Sequence, residues 1–101
     1  MDNTRDLMKY RIEQATECLD SAIREEQAGS FKTAANRSYY CIFHAMRAVL
    51  ALELFDSKKH SGVISAFRER YIKSGIFDSS MSKIISKAFE VRGAATTKIF
   101  M

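Results

Sequence analysis

Apolar residues recur at three- and four-residue intervals along most of this chain, the spacing that gathers them on one side of an α-helix. The first helical stretch begins near Asn3 or Thr4 and runs to about Ala28. Leu7, Met8, Ile12, Ala15, Leu19, Ala22 and Ile23 are its expected inward stripe, with Arg5, Lys9, Glu13, Glu17, Arg24 and Glu25 mostly outside. Gly29 is placed to stop it and Ser30 to cap the next helix. So short a junction calls for an antiparallel hairpin. No Pro or Gly interrupts the chain between Ser30 and Gly62, and the second helix is expected to end around Leu54 or Phe55. A polar loop, Asp56-Ser57-Lys58-Lys59-His60-Ser61, leads into a third, shorter helix carried by Val63, Ile64, Phe67 and Tyr71 and closed by Gly75. Asp78 or Ser79 can cap a fourth helix, whose Met81, Ile84, Ile85, Ala88 and Phe89 share a face. Gly93-Ala94-Ala95-Thr96-Thr97 is expected to break that pattern, and Lys98-Ile99-Phe100-Met101 is too short for a further packing element.

The expected fold is therefore all-α: residues 1–101 as a single domain, an antiparallel up-and-down bundle of four helices. A chain of 101 residues buries roughly 60–65% of the surface its unfolded form exposes, enough for one modest core. Hydrophobic content of 47% with 28% charged residues belongs to a globular domain rather than a disordered one, and the absence of Pro favours helix throughout.

The second helix carries two unlike faces. Ala35, Tyr39, Ile42, Phe43, Met46, Val49 and Leu50 form a core stripe, while Arg37, Tyr40, Cys41, His44, Arg47 and Ala48 lie opposite. That second face has no Lys, Glu or Gln, which a solvated surface would normally carry. Arg37 and His44 stand seven residues apart, two turns along one line. Cys41 and Ala48 are small enough for another helix or a ligand to come close.

Charge and cysteines narrow the function only a little. A net charge of +4 is compatible with a polyanion such as RNA, but mild basicity is also common in proteins that never bind one. Cys18 and Cys41 lack metal-type spacing, so reduced thiols are expected, with no metal and no cofactor. The amino-terminal residues lack the basic start and apolar core of a signal peptide, and no apolar run reaches the ~18–20 residues of a membrane span. The expected location is cytoplasmic, with no membrane partner.

An Arg and a His on one helical line could cleave RNA without a metal. His44 would take the proton from a ribose 2′-hydroxyl or deliver one to the departing 5′-oxygen, while Arg37 holds the phosphate and stabilises its developing charge. One His per chain is a thin constellation, and a symmetric dimer would bring two into one cleft. On spacing alone the alternative is purely structural, with His44 bonded to a carboxylate and Arg37 paired with an acidic residue of the first helix. His60, beside two lysines, suits capping of the third helix better than phosphate contact.

Three runs alter this reading: Asn36-Arg37-Ser38-Tyr39-Tyr40-Cys41-Ile42-Phe43-His44-Ala45, Lys58-Lys59-His60-Ser61-Gly62-Val63-Ile64-Ser65, and Lys87-Ala88-Phe89-Glu90-Val91-Arg92. In order and along nearly the whole chain they resemble the HEPN superfamily, in particular its small prokaryotic members encoded beside a minimal nucleotidyltransferase. The resemblance implies a bundle of four or five helices that dimerises, and an Arg–His motif that Arg37 and His44 satisfy with six residues between. It further implies a toxin-like, metal-independent ribonuclease with RNA as substrate and Arg37 and His44 as catalytic residues; Ser38, Tyr40 and Arg47, close to that pair on the same helix, are the expected binding residues. The implied partners are a second copy of the chain and a nucleotidyltransferase-type antitoxin. Other members of the superfamily bind nucleotides or serve as non-catalytic partner modules. Relatives continue past the counterpart of Arg92 into another helix. Its absence here would leave apolar surface on the first, second or fourth helix to be covered by self-association.

Overall fold

The computed structural model describes the backbone of residues 3–97 and the side chains of residues 3–93, so the last segment discussed above, 98–101, lies outside the described residues. The described chain is all-α, with helices α1 (Asn3–Gln27), α2 (Phe31–Ala51), α3 (His60–Phe67) and α4 (Ser80–Thr97) and no strand.

The α1–α2 hairpin is made by backbone geometry. Gly29 takes a φ of +80°, a left-handed conformation that glycine adopts without a Cβ penalty. This lets Ser30 N–H donate to the Glu25 carbonyl at 2.8 Å and Gly29 N–H to the Glu26 carbonyl at 3.0 Å. Ser30 holds the cap position of α2, but its hydroxyl makes no cap bond; its carbonyl instead accepts the Ala34 N–H at 2.9 Å. At the other end α2 stops at Ala51, earlier than its apolar pattern suggests. Phe55 N–H returns to the Leu50 carbonyl at 3.2 Å, and the residue that makes the turn is Leu54, at φ +58°.

Helix α2 is the central element. Its Tyr39, Phe43, Met46 and Leu50 meet Val63, Ile64 and Phe67 of α3 and Ile85 of α4 in the main core. Burying a side chain of this size is worth about 1.5–3 kcal/mol, so this cluster fixes how α3 and α4 sit on α2. Helix α3 continues directly into a five-residue π-helical segment, Arg68–Ile72. Phe67, Tyr71 and Phe77 pack there with ring centroids 5.5–6.0 Å apart. The Tyr71 hydroxyl donates to Glu53, and burial together with that carboxylate pushes the phenol up to about 12.

Helix α1 covers another flank of α2 and is turned part-way from the expected orientation, with Ala15 and Ala22 inward as expected. The buried line is Arg11, Ala15, Cys18 and Ala22, whereas Leu7, Ile12, Leu19 and Ile23 remain 40–47% exposed. Two features of the sequence explain the rotation. Small residues allow a close helix–helix approach, and Arg11 reaches partners that only this orientation supplies: the Arg47 carbonyl at 3.1 Å and Asp56 at 3.2 Å. The same packing corrects the expectation for the small residues of α2. Ala48 has no exposed surface and Cys41 is half-buried, because α1 of the same chain takes the space expected for another molecule.

Helix α4 starts where Asp78 accepts the Ser80 N–H at 2.8 Å. It does not break at Gly93 but runs on to Thr97. One glycine costs a helix only about 1 kcal/mol, and the alanines that follow are the best helix formers.

Candidate functional site

The α2–α3 loop brings a second histidine to the Arg37–His44 face. Asp56 ties the start of the loop to α2 and α1, accepting bonds from Arg47 at 3.0 and 3.1 Å and from Arg11 at 3.2 Å. Gly62 lies so close to Ser57 that any side chain there would collide with the serine hydroxyl. The loop is thus held tight, and α3 opens on His60 with Lys59 in the cap position and no side-chain cap bond. His60 does not cap the helix. Its Nδ1 lies 2.8 Å from the Tyr39 hydroxyl, and its ring centroid is 4.1 Å from Phe43 and 5.8 Å from Tyr40.

Tyr40 is the hub of the site. The Arg37 guanidinium lies 5.5 Å from its ring centroid and the Arg92 guanidinium 5.4 Å, while an Arg92 nitrogen is 3.4 Å from its hydroxyl. The His44 ring stands 6.0 Å away. Arg92 also lies 4.7 Å from the Tyr39 ring, and Arg47 5.9 Å from the Phe43 ring. Arg37, Tyr40, His44, Arg47, His60 and Arg92 therefore share one region built by α2, α3 and α4. Ser38 is not part of it. That residue is exposed and lines a separate groove between α2 and α4 with Ile42, Lys83 and Lys87.

Neither Arg37 nor His44 pairs with a carboxylate among the described residues. Arg37 donates to the Asn36 side-chain oxygen at 3.0 Å, and His44 Nδ1 is buried with no hydrogen-bond partner. The structural alternative of a carboxylate-bound His44 and an Arg37 paired to α1 is not what the fold makes; Arg11 takes the acidic partner instead.

The electrostatics follow from burial and an excess of cations. Burial, then the charges of Arg47, Arg37 and Arg11, then His60, hold His44 below its ordinary value of 6.5. Burial and the charges of Arg92 and Arg47 lower His60 likewise. Both shifts favour the neutral imidazole at neutral pH. Burial and the neighbouring Tyr40, working against the charge of Arg92, push the Tyr39 phenol up, so it stays protonated. Partial burial would raise the Asp56 carboxyl, but the hydrogen bonds from Arg47 and Ser57 and the charges of Arg47 and Arg11 outweigh that effect and lower it. Among the described residues no group of three or more His, Cys, Asp or Glu side chains could hold a metal ion.

Two members of this region, His60 and Arg92, were not among the site residues expected from sequence. Arg92 continues the α4 line of Ile85 and Phe89, the latter half-exposed with its ring 5.9 Å from Tyr39, and a charged residue on such a line is a signal that it meets α2. His60 offered only its place at the start of a helix.

Comparison with known proteins agrees with the architecture. A family model described as the HEPN domain matches residues 8–98. A UPF0332 protein of Thermotoga maritima is 32% identical over 92 residues, covering 91% of this chain and 70% of its own length. A Methanocaldococcus jannaschii protein named as a putative toxin is 32% identical over 91 residues, covering 90% of this chain and 68% of its own length. A UPF0332 protein of Archaeoglobus fulgidus is 33% identical over 87 residues, with 86% and 69% covered. No solved structure matches the chain. Among the described residues no helix is long and apolar enough to cross a membrane.

Proposed function

This chain belongs to the HEPN domain family, and from that membership and the chemistry of the α2 face we propose that it is a toxin-like, metal-independent endoribonuclease using Arg37 and His44. The observation that carries the proposal is that a half-buried imidazole and a guanidinium stand two turns apart on one helix with no carboxylate to occupy either. A structural Arg or His at this depth would ordinarily be paired. Left without such partners, the two groups suit an anionic ligand.

In this reading the scissile phosphate sits beside the Arg37 fork, which binds two of its oxygens and stabilises the charge that builds on them. His44, neutral at neutral pH, accepts the 2′-hydroxyl proton as that oxygen attacks phosphorus. Tyr40 offers a ring on which a neighbouring base can stack, and Arg47 adds positive potential. Ser38, on the other side of α2, has no part in binding. The toxin-like assignment rests on the family and on the name carried by the Methanocaldococcus jannaschii relative.

The protein acts as a homodimer in this account. Support comes from the exposed line Ile12, Leu19 and Ile23 on α1, an apolar stripe that the fold leaves uncovered. A second reading, a non-catalytic module binding a nucleotide or a nucleotidyltransferase-type antitoxin, is favoured by the two guanidiniums on the Tyr40 ring, which bind phosphate whether or not chemistry follows.

The test is cleavage of a labelled single-stranded RNA in EDTA by the wild type, His44→Ala and Arg37→Ala. Cleavage by the wild type and its loss in both variants supports the enzyme; a folded wild type that binds the RNA without cutting it supports the module.

A further inference from the structure

We infer that His60 is the general acid of the site, paired in the same chain with His44 as the base. This rests on the ribonuclease reading above and adds to it the group that protonates the leaving 5′-oxygen. Strand scission by 2′-oxygen attack needs a proton removed at one oxygen and supplied at another, and the reading above gives His44 only the first of these.

Geometry carries the assignment. His60 reaches the site from α3, 5.8 Å from the Tyr40 ring, and His44 reaches it from α2, 6.0 Å from the same ring. Phe43 touches both, with centroids 4.1 Å from His60 and 6.1 Å from His44, so the imidazoles cannot be further apart than those two steps together. Both therefore stand around the Tyr40 ring that Arg37 also meets.

The two rings are not equivalent. Nδ1 of His60 faces the Tyr39 hydroxyl at 2.8 Å, and a neutral phenol oxygen can accept an Nδ1 proton. The His60 imidazolium thus has a hydrogen bond waiting, and its Nε2 proton is directed elsewhere. Nδ1 of His44 is buried with no partner, so no hydrogen bond favours its cation at rest. His44 is suited to stay neutral until it takes the 2′-hydroxyl proton, while His60, held toward its neutral form in the free protein, takes up its second proton when a phosphate binds. The charges facing His60 are Arg92 on α4, Arg47 on α2 and, when protonated, His44; they oppose its protonation, and a bound phosphate counters them.

The balanced step is as follows. His44 removes the 2′-hydroxyl proton, the 2′-oxygen forms a bond to phosphorus, the P–O5′ bond breaks, and the Nε2 proton of His60 passes to the departing 5′-oxygen. The products are a 2′,3′-cyclic phosphate and a 5′-hydroxyl, with His44 protonated and His60 neutral. Tyr39 is a positioning residue: it holds the His60 ring and touches no reacting atom.

The experiment uses two oligonucleotides with a single ribonucleotide, one ordinary and one with sulfur in place of the bridging 5′-oxygen, cut in EDTA. A thiolate leaves without a proton, so it needs no acid. His60→Gln is expected to slow the ordinary substrate about 10²- to 10⁴-fold and to cleave the sulfur substrate near the wild-type rate. His44→Gln is expected to be slow on both. Tyr39→Phe, which keeps the histidine, is expected to show a smaller loss that sulfur also restores. If His60→Gln and Tyr39→Phe cut the ordinary substrate at the wild-type rate, or if each is equally slow on both substrates, His60 is not the acid. A folded wild type that cuts neither substrate overturns the ribonuclease reading itself, and the assignment with it.

Discussion

Arg11 of α1 and Asp56 of the α2–α3 loop meet at 3.2 Å, and the arginine is only 6% exposed. This contact joins the hairpin to the loop that delivers His60. Removing the carboxylate leaves a buried guanidinium with the Arg47 carbonyl as its remaining bond. Because Asp56 itself is half in solvent, the loss is smaller than for a fully buried pair. Asp56→Ala is expected to cost about 1–3 kcal/mol in urea unfolding. Arg11→Met, which removes the buried charge along with its need for a partner, is expected to cost less.

The two depressed histidines make stability pH-dependent. Below about 6.5, the ordinary value, the unfolded chain binds protons that His44 and His60 in the native chain do not yet take up. Stability therefore rises with pH across this window and is lost as pH falls toward the native values. Asp56, also lowered, contributes stability above its ordinary value of 3.8 that disappears at more acid pH. Unfolding free energies measured between pH 7.5 and 5 are expected to fall with acid for the wild type and to flatten in a His44→Gln, His60→Gln double variant.

Leu54 holds a left-handed φ of +58° while 83% exposed, so its side chain gains little from burial and its backbone is strained. Left-handed geometry costs an L-residue about 1–2 kcal/mol, partly offset in glycine by greater unfolded-state entropy. Leu54→Gly is expected to raise stability by about 0.5–1 kcal/mol, read as a higher melting temperature.

If α1 forms the dimer contact, its exposed stripe is the place to interrupt it. Light scattering at micromolar concentration is expected to give a dimer or larger species for the wild type and a smaller mass for Leu19→Glu with Ile23→Lys. A monomeric wild type would remove the homodimer from the account.

Much of this was legible in the sequence. The helical period, Gly29 and Asp78 gave four helices in the right order, and Arg37, Tyr40, His44 and Arg47 do gather on one face of α2. What periodicity could not show was which flank of α1 turns inward. Ala15 and Ala22 of the expected stripe are buried, but Arg11 and Cys18 accompany them in place of the more hydrophobic Leu7, Ile12, Leu19 and Ile23, because close approach and the Arg11–Asp56 contact decide the rotation. Ala48 looked free for a partner for the same reason: a face pattern does not say which element covers it. The place of His60 was not legible because it depends on Tyr39 and Phe43, twenty-one and seventeen positions earlier, whose meeting with α3 is a tertiary fact.

The catalytic assignment has a pH signature of its own. In this account His44 works as a base only when neutral, and burial and the neighbouring arginines hold its value below the ordinary 6.5. The acid limb of kcat/KM is expected below that pH, and the need for a protonated His60, whose value is also lowered, adds a loss of activity toward alkaline pH. Arg37→Lys keeps the charge but not the planar fork, and is expected to lose activity against phosphate that a point charge cannot orient.

The most direct test of metal-free, 2′-hydroxyl-driven cleavage is a DNA oligonucleotide carrying one ribonucleotide, incubated with the protein in EDTA and analysed for its end groups. The expected result is a single cut after the ribose, leaving a 2′,3′-cyclic phosphate and a 5′-hydroxyl, with no cut in the all-DNA or 2′-O-methyl control and none with His44→Ala. Cleavage of the all-DNA control, a requirement for divalent metal, or undiminished cleavage by His44→Ala would contradict the account.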